Sequence, residues 1–444
     1  MVMNTYKHSV SLDESKCQGC TTCLKRCPTE AIRIREGRAV ISSVRCIDCG
    51  ECIRVCPHKA KKAIHDVLEC LGDYKYTIAL PAPSLYGQFD NLDNIGFILE
   101  GLRKIGFDDV FEVAKAAELV SAYTRLYLNQ PDIPRPVINS ACPVITRMIS
   151  MNYPCLCDHV MPILPPVDIA ASLAREKALR EHPELSPSDI GIFFISPCPA
   201  KASYVKNGFA GEKNHVDRVL SVRDVYFRLI DVMRNVEEPE TTTESGLVGI
   251  GWACTGGESS AIFNERYLAA DGIENCIRVL DQIDNEDIPN LDYVELNACS
   301  GGCVGGAMTV ANPYIAQARL QNLKRYLPVS PNRPSGETIP GDVKTDAALA
   351  YSPNALLSED RSQAMRMMQD IEEICCELPG IDCGSCGAPT CTAFAEDIIK
   401  GETTMDECTV IMRELFHKYL REHEEKAVAE GLKPLMHKEK KESD

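Results

Sequence analysis

The stretch with the clearest chemical content is Glu295-Leu-Asn-Ala-Cys299-Ser-Gly-Gly-Cys303-Val-Gly-Gly. Its two thiols lie four positions apart, and the glycines let backbone approach a bulky inorganic group closely. Alone, such a pair serves a metal or redox site, half of a zinc site, or a tight turn with buried thiols. Two other stretches narrow the choice, Asn139-Ser-Ala-Cys142-Pro and Ile195-Ser-Pro-Cys198-Pro-Ala-Lys201. Together they supply four thiolates from three loops, the ligand count of a 4Fe–4S cubane.

The chain holds 23 cysteines in spaced clusters, a usage that suits metal better than disulfides. Cys17-x2-Cys20-x2-Cys23-x3-Cys27-Pro28 recurs 29 residues later as Cys46-x2-Cys49-x2-Cys52-x3-Cys56-Pro57. This is a doubled bacterial ferredoxin motif, in which the fourth cysteine of each run serves the other cluster. One cubane is expected on Cys17, Cys20, Cys23 and Cys56, the other on Cys46, Cys49, Cys52 and Cys27. A zinc-binding domain is the plainer reading, and zinc sites rarely show this eightfold pattern. A further set, Cys383-x2-Cys386-x4-Cys391-x16-Cys408, reads as another 4Fe–4S site or a structural zinc site, since four thiolates suit both metals. Cys70, Cys155, Cys157, Cys254, Cys276, Cys375 and Cys376 fall outside these patterns, and packing is their default role.

Elements must hold these thiols. Apolar runs at Tyr76–Leu80, Val137–Asn139, Ile190–Ile195, Val248–Trp252 and Tyr293–Leu296 predict strands, with helical patterns such as Ile95–Ile105 and Val222–Val232 between them. The alternation implies a largely parallel sheet with right-handed crossovers. Ala82-Pro83-Ser84, Cys142, Cys198 and Cys299 each come just after a strand, where open parallel sheets bind ligands. The expected fold is multidomain α/β. A two-cluster ferredoxin-like α+β domain spans residues 1–72, with a short hairpin at Gly37, and an α/β cluster domain spans 73–326. A proline-rich linker covers 327–355, a small helical iron–sulfur domain 356–430, and a frayed tail 431–444. Helical pattern from Leu356 to Cys376 opens on Glu359 and Asp360, and another runs from Ile411 to about Glu430.

At 444 residues, 25% charged and 45% hydrophobic, the chain reads as globular. Its net charge of −17 argues against nucleic acid as a partner. There is no apolar run of membrane-spanning length, and the opening Met1–His8 is polar and lacks a signal pattern, so a cytoplasmic protein is expected.

The ferredoxin pair followed in order by Cys142-Pro-Val-Ile, Pro197-Cys198-Pro-Ala-Lys201 and Cys299-Ser-Gly-Gly-Cys303 resembles the FeFe hydrogenases over residues 15 to about 325. The resemblance implies an H-cluster, a 4Fe–4S cubane joined to a diiron subcluster that carries CO, CN and a bridging dithiolate. It places the cubane on Cys142, Cys198, Cys299 and Cys303, with Cys303 as the bridge. Lys201 matches the lysine that bonds a cyanide, and Ala82-Pro83-Ser84 resembles the segment near the other cyanide. Thr255-Gly-Gly257 resembles another loop of the site. Three further 4Fe–4S clusters would carry electrons, and separate maturation proteins would install the diiron unit.

The sequence also departs from the high-turnover members. Ala141 stands where they carry a proton-relaying cysteine, and Tyr204 where a glutamate follows the lysine. Ser196 and Asn297 replace methionines. With the extra C-terminal cysteines, the pattern is similar to the sensory members of the family. The expectation is therefore a slow enzyme for H2 and protons that serves an electron-transfer or signalling partner and can form a homodimer, with a detour for protons through water, Cys254 or Glu258. Two other readings stay open, a redox signalling module and an assembly factor that keeps the cysteines without a diiron site.

Overall fold

The computed structural model describes residues 6–208, 215–288, 290–334, 336–345, 348–353, 357–358 and 360–429. The chain packs as two compact units, residues 1–16 with 43–354 and residues 17–42 with 355–444.

The first unit is built on two parallel sheets. In one, the strands run in the order Asp109–Val110, Tyr76–Pro81, Ile190–Ser196, Arg218–Ser221. Every residue of Ile190–Ser196 is buried, which is why that strand reads as an unbroken apolar run. After Tyr76–Pro81 the chain goes to one side and later returns on the other. The switch point thus lies between Tyr76–Pro81 and Ile190–Ser196, and Ala82–Ser84 and Cys198 follow those two strands. In the other sheet the order is Tyr267–Asp271, Tyr293–Asn297, Val137–Ile138, which sets the loops bearing Cys142 and Cys299 side by side.

The Val248–Trp252 run expected as a strand is a helix, Leu247–Gly251. A short buried apolar run does not reveal its period, and here packing decides. A Cβ on Gly249 would lie 2.1 Å from the carbonyl oxygen of Ala114, so glycine lets this helix press on the helix Val113–Leu128. The strands Arg218–Ser221 and Tyr267–Asp271 were not among those expected.

The proline-rich segment after residue 327 is strapped to this unit. Leu247 and Val248 donate to the carbonyls of Pro328 and Val329, and Leu164 to that of Val343. Glu118, buried, accepts from Gly246 N–H and from the backbone and side chain of Asn332. At the other end Val10–Leu12 pairs antiparallel with Lys61–Ala63. Buried Asp48 ties three segments together, accepting from Ser9 N–H at 2.8 Å, Tyr6 Oη at 2.9 Å and Ser203 Oγ at 2.7 Å.

The second unit holds the hairpin Ile32–Arg35 with Arg38–Ile41, turned at Glu36-Gly37 with both φ angles positive. The helices Arg361–Glu377, Cys391–Ile399 and Thr409–Ala429 belong to the same unit. Asp360 caps the first of these by accepting from Gln363 N–H, so that helix begins later than its apolar pattern suggested. Leu356, Glu359 and residues 431–444 lie outside the described residues. Asp397 accepts from Arg33 Nε and Arg35 Nη2, each at 2.6 Å, and Lys25 Nζ donates to the Pro389 carbonyl. These bonds fasten the hairpin to the C-terminal helices.

The 29-residue repeat in sequence is also a repeat in backbone. Gly19 and Asp48 share a left-handed φ, as do Glu30 and Lys59. Cys27 Sγ accepts from Ala31 N–H and Cys56 Sγ from Ala60 N–H, both at 3.3 Å.

Candidate metal centre

Cys142 and Cys198 are each the N-cap of a helix whose first residue is proline, Pro143–Asn152 and Pro199–Asn207. Proline loses nothing there, because the first helical N–H has no intrahelical partner. The two thiols thus sit at positive helix ends, which favour an anionic group. Cys299 and Cys303 flank a turn in which Gly301 and Gly302 have φ of 77° and 90°. A Cβ on Gly302 would lie 2.6 Å from Thr255 N, so only glycine lets the Cys254–Thr255 backbone close over the turn.

These four thiols and Lys201, all half-buried, share one neighbourhood. Burial pushes Cys142 up to about 11, and the nearby Cys299 and Cys303 push it the same way. Burial likewise raises Cys198 and Cys299. Burial alone would lower the Lys201 ammonium, but the charges of Cys303, Cys198, Cys142 and Cys299 turn the net shift upward. Lys201 Nζ lies 3.7 Å from Cys303 Sγ. Half-buried thiols that repel one another as anions, set beside the Lys201 and Arg54 cations, form a soft donor set whose desolvation a metal would offset.

Beside them opens a cavity with Ser84, Ala141, Lys201, Trp252, Glu258 and Cys303 in its walls. Ser84 Oγ is fully buried and has no hydrogen-bond partner among the described residues, nor has Thr255 Oγ1. An orphaned hydroxyl and a lysine aimed into a cavity beside Cys303 suit anionic acceptors bound there. The residues therefore fit an H-cluster.

A carboxyl pair forms part of the wall. Tyr293 Oη donates to Glu258 at 2.5 Å and Asn139 Nδ2 at 3.2 Å. Glu295 accepts from Gly256 N–H at 2.9 Å, Ser259 N–H at 2.8 Å and Asn297 Nδ2 at 2.7 Å. Burial and the charge of Glu295 push Glu258 up to about 8, and burial raises Glu295 as well. Three donors favour ionised Glu295, which leaves the proton on Glu258. Tyr204 reaches the cavity, but its hydroxyl is engaged with buried Asp168. Cys254 does not line the cavity, and burial pushes its thiol up to about 11. Cys276 is buried at the strand ends, donating to the Asn297 carbonyl.

In the second unit Cys383, Cys386, Cys391 and Cys408 line one small pocket with Leu378 and Phe394. Gly384 and Gly387 take left-handed φ angles around it, and Asp382 accepts from Cys391 N–H. Of the ferredoxin-type cysteines, Cys17, Cys20, Cys23 and Cys27 belong to this unit, and Cys46, Cys49, Cys52 and Cys56 to the first.

Sequence reasoning assigned no role to Glu295 or Arg54. Glu295 lay in the most telling stretch, but its partner is far away in the chain. Arg54 donates from Nη2 to Cys299 Sγ at 3.0 Å, a contact that no local pattern encodes.

Parallel α/β topology with half-buried thiols at the strand ends, and further cysteine sets elsewhere in the chain, defines a multicentre iron–sulfur protein. The family model for the iron only hydrogenase large subunit, C-terminal domain, matches residues 75–307. A 4Fe-4S dicluster domain matches residues 8–60, and an Fe-S cluster family residues 378–410. The chain belongs to the iron-only hydrogenase family. It is 25% identical over 382 residues to the periplasmic [Fe] hydrogenase large subunit of Nitratidesulfovibrio vulgaris, covering 70% of this chain and 88% of that one. Against iron hydrogenase 1 of Clostridium pasteurianum the identity is 24%, covering 69% and 66%. A solved FeFe hydrogenase structure from Chlamydomonas reinhardtii aligns with TM-score 0.43 at 20% identity, over 58% of this chain and 87% of that one. Among the described residues, no helix is long and apolar enough to cross a membrane.

Proposed function

We propose that the protein splits H2 reversibly into two protons and two electrons, slowly, and passes its redox state to a signalling or electron-transfer partner in the cytoplasm. Cys142, Cys198, Cys299 and Cys303 would hold the cubane, with Cys303 as the thiolate shared with the diiron unit that maturation proteins would supply. When bound, that unit would supply the metal chemistry for heterolytic H2 cleavage. Lys201 and Ser84 would donate hydrogen bonds to its anionic ligands and orient it. The apolar walls around Trp252 limit water. The ferredoxin-type clusters and the cluster on Cys383, Cys386, Cys391 and Cys408 would carry electrons onward.

The observation that carries the slow, reporting role is Ala141 in the cavity wall. A methyl group relays no proton, so proton traffic falls to Glu258, held by Tyr293 and Asn139 and biased by Glu295. Losing one relay step worth ~3 kcal/mol slows turnover by about two orders of magnitude. The test is infrared spectroscopy and H2 turnover of fully matured protein. Bands of iron-bound CO and CN with slow turnover are expected. Absence of those bands would leave the assembly-factor reading, and turnover equal to the fast members would remove the sensory one.

A further inference from the structure

Arg54 lies between two ferredoxin-type ligands, Cys52 and Cys56, on the helix Glu51–Val55. Its Nη2 donates to Cys299 Sγ at 3.0 Å and to the Gly305 carbonyl at 2.9 Å. Its Nη1 donates to the Cys49 carbonyl at 3.3 Å and pairs with Glu51 at 3.1 Å. The approach is permitted by Gly50, where a Cβ would lie 2.5 Å from that of Ala307. One guanidinium thus bonds a ligand of the proposed H-cluster cubane and the backbone of a ferredoxin ligand at once.

We propose that Arg54 is a positioning residue that sets the reduction potential of the H-cluster cubane, holding it up so that electrons settle there. The proposal rests on the reading of Cys142, Cys198, Cys299 and Cys303 as a cubane site. Taking up one electron adds one negative charge to the cubane and its thiolates. A cation bonded to one of the sulfurs stabilises that state more than the oxidised one, and hydrogen bonds to cluster sulfurs are a recognised control of potential. Glu51 offsets part of the charge, and the side chain is 28% exposed, so the effect is moderate and shrinks with salt. A residue that merely pinned the two segments together would affect cluster loading or stability and leave the potential in place.

The test is a redox titration, followed by low-temperature EPR, of the full chain expressed without maturation. The wave that disappears in the Cys142→Ala/Cys198→Ala variant belongs to the cubane. In Arg54→Gln, which keeps a donor without charge, that wave should move to lower potential. The reduced-to-oxidised ratio at the wild-type midpoint should fall about tenfold, a 59 mV shift for one electron. Arg54→Lys should recover part of the shift, and added salt should narrow the gap. A wave that stays within a factor of two in Arg54→Gln, or that Lys and Gln displace equally, overturns the role of Arg54. Absence of any wave removed by Cys142→Ala/Cys198→Ala in otherwise wild-type protein overturns the cubane reading itself, and this proposal with it.

Discussion

Replacing Glu258 by Gln tests the carboxyl pair through stability as well as rate. Gln keeps an oxygen for Tyr293 Oη but turns an NH2 toward Asn139 Nδ2, whose own oxygen is engaged by Leu296 N–H at 2.9 Å. One hydrogen bond is lost, at about 1 kcal/mol. The opposing term depends on pH. Glu258 is raised from 4.5 to about 8, so between those values the folded chain holds a proton that the unfolded chain has released. Stability from this group is fully present below 4.5 and falls as pH rises through 8, by up to about 1.4 kcal/mol per pH unit. Glu295 is raised too and adds the same sign. Wild type should lead by about 1 kcal/mol below pH 4.5, and Glu258→Gln should lead by about 3 kcal/mol at pH 8. For a unit of about 330 residues, 3 kcal/mol corresponds to a melting shift on the order of 4 °C. Thermal unfolding of the cluster-loaded, unmatured chain across pH 4.5–8 reads the crossing directly. After maturation the same variant should lose about 100-fold or more in H2 turnover, because an amide does not shuttle a proton. Parallel stability curves over that range, or undiminished turnover, would refute the assignment of the proton to Glu258.

Three further outcomes are expected. Cys303→Ser should abolish the CO and CN infrared bands while leaving the ferredoxin-type EPR signals, and retained bands would falsify the bridging assignment. Ala141→Cys should raise H2 turnover by about tenfold or more if the missing thiol limits it, and an unchanged rate would place the bottleneck elsewhere. Cys383→Ala with Cys386→Ala should remove about four iron atoms per chain and no zinc by metal analysis, whereas loss of zinc alone would make the C-terminal site structural.

The cluster spacings and the strand-then-cysteine order could be read from sequence because both are local. The apolar runs at Tyr76–Pro81 and Ile190–Ser196 mark strands, and the residues just after them stand at the sheet's carboxyl edge. Short buried runs were ambiguous. Val248–Gly251 folds as helix because a glycine there meets Ala114, a contact far away in sequence. The partition of the ferredoxin-like residues was equally hidden. Residues 17–42 join the C-terminal helices through Asp397 with Arg33 and Arg35, charges that in sequence look like ordinary surface residues. Glu118, Asp48 and Arg54 share that character, since each does its work through partners that no window of sequence contains.

On the proposed reading, the carboxyl pair also bears on why a slow site would suit a reporter. Among the described residues lining the cavity, the titratable ones are Lys201, Tyr204, Glu258, Glu295 and Cys303. Lys201 is held charged by the thiols, and Tyr204 is engaged with Asp168. Glu295 is held by three donors, so Glu258, near 8, is the group matched to proton exchange at neutral pH. Behind it stands Tyr293, fully buried, with a phenol pushed well above its ordinary value of 10 by burial and by Glu258 itself. A phenol that resists ionisation gives up its own proton reluctantly, so a relay in which it hands that proton on while taking the carboxyl's is slow. On the proposed reading, a proton released in the cavity rests on Glu258 and leaves rarely, while electrons have several clusters to occupy. Charge separation then outlasts the reaction that made it, the condition a redox signal needs in order to be read by a partner.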